Sequence, residues 1–264
     1  MKRNLWKSAM RMLVCAIAPL LLGACAAGHG PAPRLPTSVV LVHGAWADGS
    51  SWSRVIPLLQ QRGLTVVAVQ LQRASLEQDA QIVRRAIAMQ SGQVVLAGHS
   101  YGGAVITQAG SVEQVAALVY VAAFAPGDGE SIADITSTYP PGAWQSGLVA
   151  DSAGYLWLNL ETYVSLFAAD FSRAEAAVYQ ATQGPVFQHI LQDKVSNAAW
   201  KTKPAFWALS GNDQIIPTAL QRQEASRIHA RVTLIPGASH ISLLSRPNEV
   251  AAVILEAVAS VNGR

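Results

Sequence analysis

Cysteine and charge are both scarce in this chain of 264 residues. It has two cysteines, Cys15 and Cys25, and 13% of its residues are charged. Two cysteines so close to the N-terminus exclude a disulfide framework and a cysteine-based metal site in the rest of the chain. The H-E-x-x-H pattern of a zinc enzyme is also absent, so the sequence calls for no metal and no other cofactor. With 51% hydrophobic residues, the low charge excludes a disordered chain and favours one large domain with a buried core.

Outside the N-terminal segment, the chain has no surplus of positive charge. The formal net charge of +3 includes four basic residues within the first 24, where no Asp or Glu occurs: Lys2, Arg3, Lys7 and Arg11. The remainder has 15 basic and 16 acidic residues, which gives a net charge of -1. A nearly neutral domain has no positive field to attract phosphate backbones. The composition therefore excludes a nucleic-acid partner.

The apolar run near the N-terminus is too short to cross a membrane. Residues 12–22 make a run of 11, against about 20 for a transmembrane helix. Behind the basic head of residues 1–11, this is the length of the apolar part of a secretory signal peptide. Residues 1–24 are therefore expected to be a signal peptide.

The expected signal peptide ends in L-G-A-C, which resembles the lipobox of bacterial lipoproteins. This resemblance implies that Cys25 becomes the lipidated first residue. Residues 25–37, rich in glycine and proline, would then form a tether between the domain and a membrane. The residue after Cys25 is alanine rather than aspartate, and in this the chain resembles lipoproteins that are sent to the outer membrane. We therefore expect a lipid-anchored protein of the cell envelope, placed in the outer membrane. Ordinary cleavage after Ala24 or Ala27 would instead give a soluble periplasmic protein.

The stretch V-V-L-A-G-H-S-Y-G-G, residues 94–103, is the most informative in the chain. Its apolar start fits a strand buried on both faces, and its end leaves room for a helix. Gly98 and Gly102 flank Ser100 in a G-x-S-x-G pattern, which holds a serine in a strained turn at the edge of a sheet. The N–H of Tyr101, at the helix start, would face negative charge that develops beside the serine. Alone the pattern also fits an ordinary glycine-rich turn, but with the partners described below it predicts a nucleophile.

A second loop, H-G-A-W, follows the apolar strand of residues 38–42. Its glycine lets the backbone curl, so that the N–H of Ala45 or of Trp46 can point into a cleft as a second oxyanion donor. Ala45 is the preferred donor. The strand-end histidines of the two loops, His43 and His99, are expected to bind backbone groups rather than substrate.

Two more polar residues follow later strands and complete a candidate set with Ser100. Asp213 comes after one apolar strand, in S-G-N-D, and His240 comes after the next, in A-S-H. Their order along the chain, Ser then Asp then His, is that of a hydrolase triad on an α/β sheet. His240 would act as general base, and Asp213 would fix its tautomer. Asp128 and Glu130, which follow an earlier strand, are the alternative acids.

Strand and helix patterns alternate from residue 38 to residue 264. This alternation predicts an α/β fold, with a mainly parallel, doubly wound sheet of about six strands. After the first strand, apolar residues at helical spacing predict a helix from Trp52 to Gln61. Ser50 and Ser51 are its candidate caps.

Residues 125–203 interrupt the alternation and are far longer than an ordinary connection. We expect a helical insertion here, and in an enzyme such an insertion would be a lid. Most of its aromatic residues would form the insertion's own core, and a few would line a pocket. They are Tyr139, Trp144, Tyr155, Trp157, Tyr163, Phe167, Phe171, Tyr179, Phe187 and Trp200.

With H-G-A-W, G-H-S-Y-G-G, S-G-N-D and S-H in place, the chain from about residue 38 to 261 resembles the α/β-hydrolase superfamily. The resemblance is to its small, cofactor-free esterase and hydroxynitrile-lyase type. It implies the spatial strand order second, first, third, fourth, fifth, sixth. The active site would lie at the edge where the loops after the first and third strands meet. The two antiparallel strands that usually precede the H-G strand have no room in this chain.

The function that this resemblance implies is hydrolysis of small apolar or aryl carboxylic esters by a serine esterase. Hydroxynitrile lyases of this type carry a lysine beside the histidine and a threonine in the H-G loop. Ile241 and Gly44 occupy those positions here and favour the esterase. Hydroxynitrile-lyase, lactonase or amidase chemistry and a non-catalytic, lipid-anchored binding protein are the alternatives.

Overall fold

The computed structural model describes residues 37–263. The expected signal peptide, the expected lipidation site at Cys25 and residues 25–36 of the expected tether lie outside this range and stay predictions. The first strand begins at Thr37, one residue before the predicted domain boundary. Within the described range, no helix is both long enough and apolar enough to cross a membrane.

Parallel strands form the centre of the fold. The six-stranded main sheet has the order β2-β1-β3-β4-β8-β9, and each neighbouring pair in it is parallel. This confirms the predicted fold class and strand order. Across residues 37–263 the strands are β1 (Thr37–Val42), β2 (Thr65–Ala68), β3 (Gln93–His99), β4 (Val115–Val121), β5 (Leu148–Ala150), β6 (Tyr155–Leu158), β7 (Val186–Phe187), β8 (Ala205–Ser210) and β9 (Arg231–Ile235).

Apolar side chains pack the helices onto the main sheet, as the second helix shows. Leu76, Ala80, Val83 and Ile87 are buried on one face of the second helix, which Ser75 caps by accepting a hydrogen bond from the Gln78 N–H. The α-helices of the described chain are α1 (Ile56–Gln60), α2 (Leu76–Ala88), α3 (Tyr101–Ala109), α4 (Ile132–Thr136), α5 (Leu160–Thr162), α6 (Arg173–Ala181), α7 (Thr218–Arg227), α8 (Ser242–Ser245) and α9 (Pro247–Asn262).

The helix predicted after β1 is broken into two pieces. A 3₁₀ turn spans Gly49–Trp52, and α1 begins only at Ile56. Asp48 caps the 3₁₀ turn, because its side chain accepts a hydrogen bond from the Ser50 N–H. The N-cap of α1 is Val55, which makes no side-chain hydrogen bond, so the prediction of a serine cap was wrong.

The insertion between β4 and β8, which we call the lid (residues 125–203), is only partly helical. It contains α4, α5 and α6, but also a three-stranded antiparallel sheet in the order β5-β6-β7. The expectation of an all-helical insertion was therefore incomplete. The lid's strands are two to four residues long and carry no alternation that a sequence pattern would detect.

Candidate active site

Ser100 is the single residue between β3 and α3, and its backbone conformation is strained. Its φ is 54° and its ψ is -122°, a region that non-glycine residues rarely adopt. The surrounding backbone enforces this conformation: the Ser100 N–H donates to the Val121 carbonyl at 3.1 Å, and the Ser100 carbonyl accepts from the Gly103 N–H at 2.9 Å. The turn therefore presents the serine side chain at the carboxyl edge of the sheet.

Three glycines make this turn possible. A Cβ on Gly98 would lie 2.4 Å from the Gly102 carbonyl oxygen, and a Cβ on Gly102 would lie 2.6 Å from the Val42 carbonyl oxygen. A Cβ on Gly44 would lie 2.8 Å from the Cβ of Ser100. Real side chains do not approach this closely. The loop after β1 and the serine turn therefore pack so closely that only glycine fits at these three positions.

Asp213 and His240, which follow β8 and β9, meet beside the serine turn. Asp213 Oδ2 lies 2.8 Å from His240 Nδ1, and both side chains are fully buried. Asp213 Oδ1 accepts hydrogen bonds from the backbone N–H groups of Ile215 and Ile216, at 2.8 and 2.9 Å. Gln221 Nε2 donates to Oδ2 at 2.9 Å. Four donors therefore hold this carboxylate in a single orientation.

The hydrogen bond to Asp213 fixes the tautomer of His240. A carboxylate only accepts, so Nδ1 carries the hydrogen and Nε2 keeps its lone pair. His240 Nε2 is buried and has no hydrogen-bond partner among the described residues. The hydroxyl of Ser100 likewise shows no hydrogen bond within that part of the chain. A free base nitrogen and a free hydroxyl are what a nucleophile and its general base require.

His99, directly before Ser100, ties the serine turn to the His240 loop. Its Nε2–H donates to the His240 carbonyl at 2.9 Å, and the two imidazole rings lie 4.7 Å apart between centroids. Burial, and the neighbouring ring of His240, hold the pKa of His99 well below its ordinary value. A neutral His99 therefore places the base relative to the nucleophile without adding charge beside it.

Backbone N–H groups beside Ser100 are unpaired among residues 37–263. The N–H groups of Ala45 and Tyr101 have no hydrogen-bond acceptor within residues 37–263, and both residues line the cavity together with Ser100. The N–H of Trp46, the alternative donor, is unpaired in the same range. Tyr101 is also the first residue of α3, where the helix dipole adds positive potential.

His43 holds the Ala45 loop in place. Its Nδ1–H donates to the Gly44 carbonyl at 2.8 Å, and its Nε2 accepts from the Leu71 N–H at 3.0 Å. Burial lowers the pKa of His43 to about 4. The ring is thus neutral at physiological pH, as its acceptor role demands.

This low pKa predicts acid sensitivity of the fold. The unfolded histidine takes up a proton near pH 6.5 and the folded one only near pH 4, so the unfolded state binds more protons in between. The free energy of unfolding should therefore fall as the pH drops from 6.5 to 4, by about 3 kcal/mol from this residue. Urea unfolding of the wild type and of a His43→Gln variant at pH 7 and pH 4 measures this contribution.

The variant isolates His43 from other buried groups. Burial raises the pKa of Asp79 and of Glu224, which changes stability with pH in the opposite direction. Both carboxyls are present in the two proteins, so their effect cancels in the difference. Parallel pH curves for wild type and variant would contradict the assignment.

The alternative acids, Asp128 and Glu130, are engaged elsewhere. Asp128 accepts from the Ala198 N–H at 2.5 Å and from Lys201 Nζ at 2.7 Å. Glu130 accepts from Arg227 at 2.5 Å. These bonds join the start of the lid to its end and to α7. The carboxylate that reaches His240 is therefore that of Asp213.

A cavity of about 450 Å³ opens beside Ser100. The lid covers it with Tyr139, Trp144 and a proline pair, and the loop after Asp213 adds Ile215 and Ile216. None of the described residues that line it is charged. Of the ten aromatic residues of the lid, Tyr139 and Trp144 are the two that line the cavity. The cavity suits a small, neutral, largely apolar molecule.

Sequence reasoning missed Asp79, which supports the serine turn. Its fully buried carboxylate accepts the hydroxyl hydrogen of Tyr101 at 2.9 Å and the Gln72 N–H at 2.8 Å. A signal was present: Asp79 lies on the same face of α2 as the apolar residues Leu76 and Ala80. A carboxylate within a buried helical stripe needs donors, and these donors come from the loop before α2 and from Tyr101.

Sequence reasoning named Phe167 only as one of the lid aromatics and missed Asp170, and both residues lie beside the His240 loop. The Phe167 ring meets the His240 ring edge-on, with centroids 4.9 Å apart. Asp170 accepts hydrogen bonds from Ser239. No local pattern could reveal these contacts, because the partners are about 70 positions apart in the sequence.

Comparison with known proteins agrees with this fold. The sequence model of the alpha/beta hydrolase family matches residues 39–253. A pyrethroid hydrolase from Sphingobium wenxiniae is 26% identical over 261 residues, covering 83% of this chain and 87% of that protein. Methylesterase 7 from Arabidopsis thaliana is 24% identical over 254 residues, covering 82% of this chain and 94% of that protein. A solved extracellular alpha/beta-hydrolase from a Paenibacillus species has a TM-score of 0.72 at 22% identity, covering 84% of this chain and 99% of that one, which shows the shared fold.

Proposed function

Since the chain belongs to the alpha/beta hydrolase family, we propose that it hydrolyses carboxylic esters through an acyl-enzyme on Ser100. The observation that carries this proposal is the buried Asp213–His240 pair, whose free Nε2 lies in the loop that His99 ties to the serine turn. Two relatives bear the names pyrethroid hydrolase and methylesterase, which supports ester chemistry.

In the proposed reaction, His240 Nε2 takes the hydroxyl proton as Ser100 Oγ attacks the ester carbonyl. The carbonyl oxygen becomes an oxyanion and accepts the N–H groups of Ala45 and Tyr101. His240 then returns the proton to the leaving alcohol, and the acyl group stays on Ser100. A water molecule, deprotonated by His240, attacks the acyl-enzyme. His240 then returns this proton to Ser100 Oγ as the acid is released. Asp213 stabilises the imidazolium that forms in each half of the cycle.

Electrostatics of the site favour this reaction. Each oxyanion donor contributes about 3 kcal/mol to stabilising the transition state in acyl transfer. The positive end of α3 adds to this potential, and the apolar cavity keeps water from weakening it. The site thus has both the donors and the low-dielectric surroundings that a developing oxyanion needs.

Cyanohydrin cleavage fits the same site less well. Ile241, buried beside the histidine, offers no positive charge to a departing cyanide. At Gly44, even a single methyl group would collide with the Cβ of Ser100. A threonine in that position, as hydroxynitrile lyases of this type have, would need a different backbone. The contact at Gly44 therefore favours the esterase.

The test is a panel of matched esters assayed against mandelonitrile. We expect turnover of p-nitrophenyl acetate and butyrate and no release of cyanide. The p-nitrophenyl monoester of succinate has the same acyl length as the butyrate ester but carries a carboxylate. Its kcat/KM should be at least about a hundredfold lower, because the cavity offers its charge no partner.

Three outcomes would overturn parts of this proposal. Cyanide release without ester turnover would assign a lyase. Binding of the esters without any turnover would assign a binding protein. Equal kcat/KM for the butyrate and succinate esters would refute the preference for neutral substrates.

A further inference from the structure

Asp170 of the lid clamps the residue directly before His240. Its Oδ2 accepts the Ser239 N–H at 3.0 Å, and its Oδ1 accepts the Ser239 hydroxyl. Ser239 is fully buried, so these bonds satisfy donors that water cannot reach. Two bonds to one carboxylate fix both the position and the rotation of this peptide. The backbone of His240 follows directly from it.

Phe167, from the same part of the lid, packs against the imidazole itself. It is fully buried, and its ring meets the His240 ring at 68°, with centroids 4.9 Å apart. The His99 ring packs against the same imidazole, with ring centroids 4.7 Å apart. The ring is thus held between the serine turn and the lid, while Asp213 fixes its Nδ1 edge.

Phe167 is the last residue of a π-helix, Tyr163–Phe167, and Asp170 follows three residues later. The Ala168 N–H donates to the Tyr163 carbonyl at 2.8 Å, which closes the wide turn. The ring centroids of Tyr163 and Phe167 lie 4.6 Å apart. The Tyr163 hydroxyl lies 3.5 Å from the carbonyl of Trp46 in the loop after β1, residues 43–46, which we call the oxyanion loop. One turn of the lid therefore touches both the base and the oxyanion loop. Such wide turns often occur at functional sites.

Other serine–carboxylate pairs of the lid serve a different purpose. Ser131 with Asp134 and Ser172 with Glu175 are capping boxes, with partners three residues apart at the start of a helix. The Asp170–Ser239 pair joins the lid to the loop of the general base, across 69 positions of sequence. Helix capping does not account for it.

We propose that residues 163–170 of the lid are a positioning element of the active site, in which Asp170 orients His240 through Ser239. The inference rests on the proposed function, since its kinetic effect requires turnover. Neither Asp170 nor Ser239 lines the cavity. Their loss should misplace the base without weakening substrate binding, and a displacement of about 1 Å in a catalytic group costs about a hundredfold in rate.

The kinetic test compares Asp170→Ala, Asp170→Asn and Ser239→Ala with the wild type on p-nitrophenyl butyrate. We expect kcat to fall by about ten- to a hundredfold in Asp170→Ala, with KM within about twofold of the wild type. Ser239→Ala keeps the backbone donor and should lose less, as should Asp170→Asn, which keeps one acceptor oxygen. The double variant, with alanine at both positions, should lose no more than Asp170→Ala, because both changes break one interaction. Glu175→Ala, which breaks a capping box of the lid, is the matched control and should keep wild-type kcat.

A second readout needs no substrate. The hydrogen on His240 Nδ1, bound to a buried carboxylate, gives a proton resonance far downfield in the NMR spectrum. Asp170→Ala should broaden or remove this signal, and Glu175→Ala should not. If the wild type turns over no ester but the signal responds in this way, the proposed function fails and the positioning role stands.

Unchanged kcat in Asp170→Ala and Ser239→Ala, with an unchanged Nδ1–H signal, would overturn the inference. A raised KM at constant kcat would also overturn it, because the lid segment would then act on substrate binding. If Asp170→Ala does not fold, the single hydroxyl removed in Ser239→Ala still decides between these outcomes.

Discussion

Replacing Ser100 with alanine should lower ester turnover by roughly a million-fold and leave the fold intact. The serine hydroxyl is the proposed nucleophile, and alanine has nothing that can form an acyl-enzyme. The hydroxyl makes no hydrogen bond within residues 37–263, so its removal leaves no buried partner unpaired. Measured kcat on p-nitrophenyl butyrate and the thermal unfolding midpoint together check this expectation. Labelling by a fluorophosphonate should disappear in the same variant.

A matched control separates loss of the nucleophile from loss of any buried serine. The hydroxyl of Ser210, at the end of β8, is also buried without a hydrogen-bond partner in the described range. Ser210→Ala should therefore keep wild-type turnover and labelling. Labelling that persists in Ser100→Ala would assign the nucleophile to another residue.

The parallel sheet could be predicted because its strands are short apolar runs separated by helical patterns. β1 and β3 are buried almost throughout, and such strands need helices on both faces. The candidate set could be predicted for a related reason. Its three residues follow β3, β8 and β9, and the carboxyl ends of parallel strands share one edge of the sheet. Local motifs at strand ends therefore indicated residues that are far apart in the sequence.

The lid could not be predicted in the same way, because its structure depends on contacts with the main domain. The Phe187 N–H in β7 donates to the Arg73 carbonyl at 3.0 Å, and Arg73 Nε donates to the Pro185 carbonyl at 3.0 Å. Trp46 Nε1, from the oxyanion loop, donates to the Leu156 carbonyl in β6 at 3.1 Å. Strands of two to four residues gain their order from such bonds rather than from their own pattern.

The break in the helix after β1 has a local cause that the apolar spacing concealed. The pattern from Trp52 to Gln61 is helical in period, but Pro57 can stand only in the first turn of an α-helix. The helix therefore starts at Ile56, and the residues before it form a separate turn capped by Asp48. Pro57 therefore indicated the later start of the helix, whereas the apolar spacing alone predicted a start at Trp52.

Asp213→Asn should reduce turnover by roughly ten-thousand-fold, and the hydrogen bonds of this carboxylate explain why. Oδ1 accepts two backbone N–H groups, those of Ile215 and Ile216, and Oδ2 faces His240. An asparagine would keep its oxygen on the two backbone donors, which leaves its NH₂ group towards His240 Nδ1. Nδ1 would then have to accept, and its hydrogen would move to Nε2. The imidazole in that tautomer has no lone pair to take the serine proton.

The matched control for this prediction is Asp128→Asn, since Asp128 is one of the two alternative acids that the sequence left open, with Glu130. Asp128 binds Ala198 and Lys201 at the base of the lid, so its replacement should cost some stability of the lid and little turnover. Measurement of kcat and KM for both variants on p-nitrophenyl butyrate, with circular dichroism to verify folding, distinguishes the two acids. Near-normal kcat in Asp213→Asn together with a large loss in Asp128→Asn would move the acid role to the lid. The tautomer argument predicts the reverse: kcat should fall in Asp213→Asn while its KM stays near the wild-type value, because the asparagine side chain fills the same space.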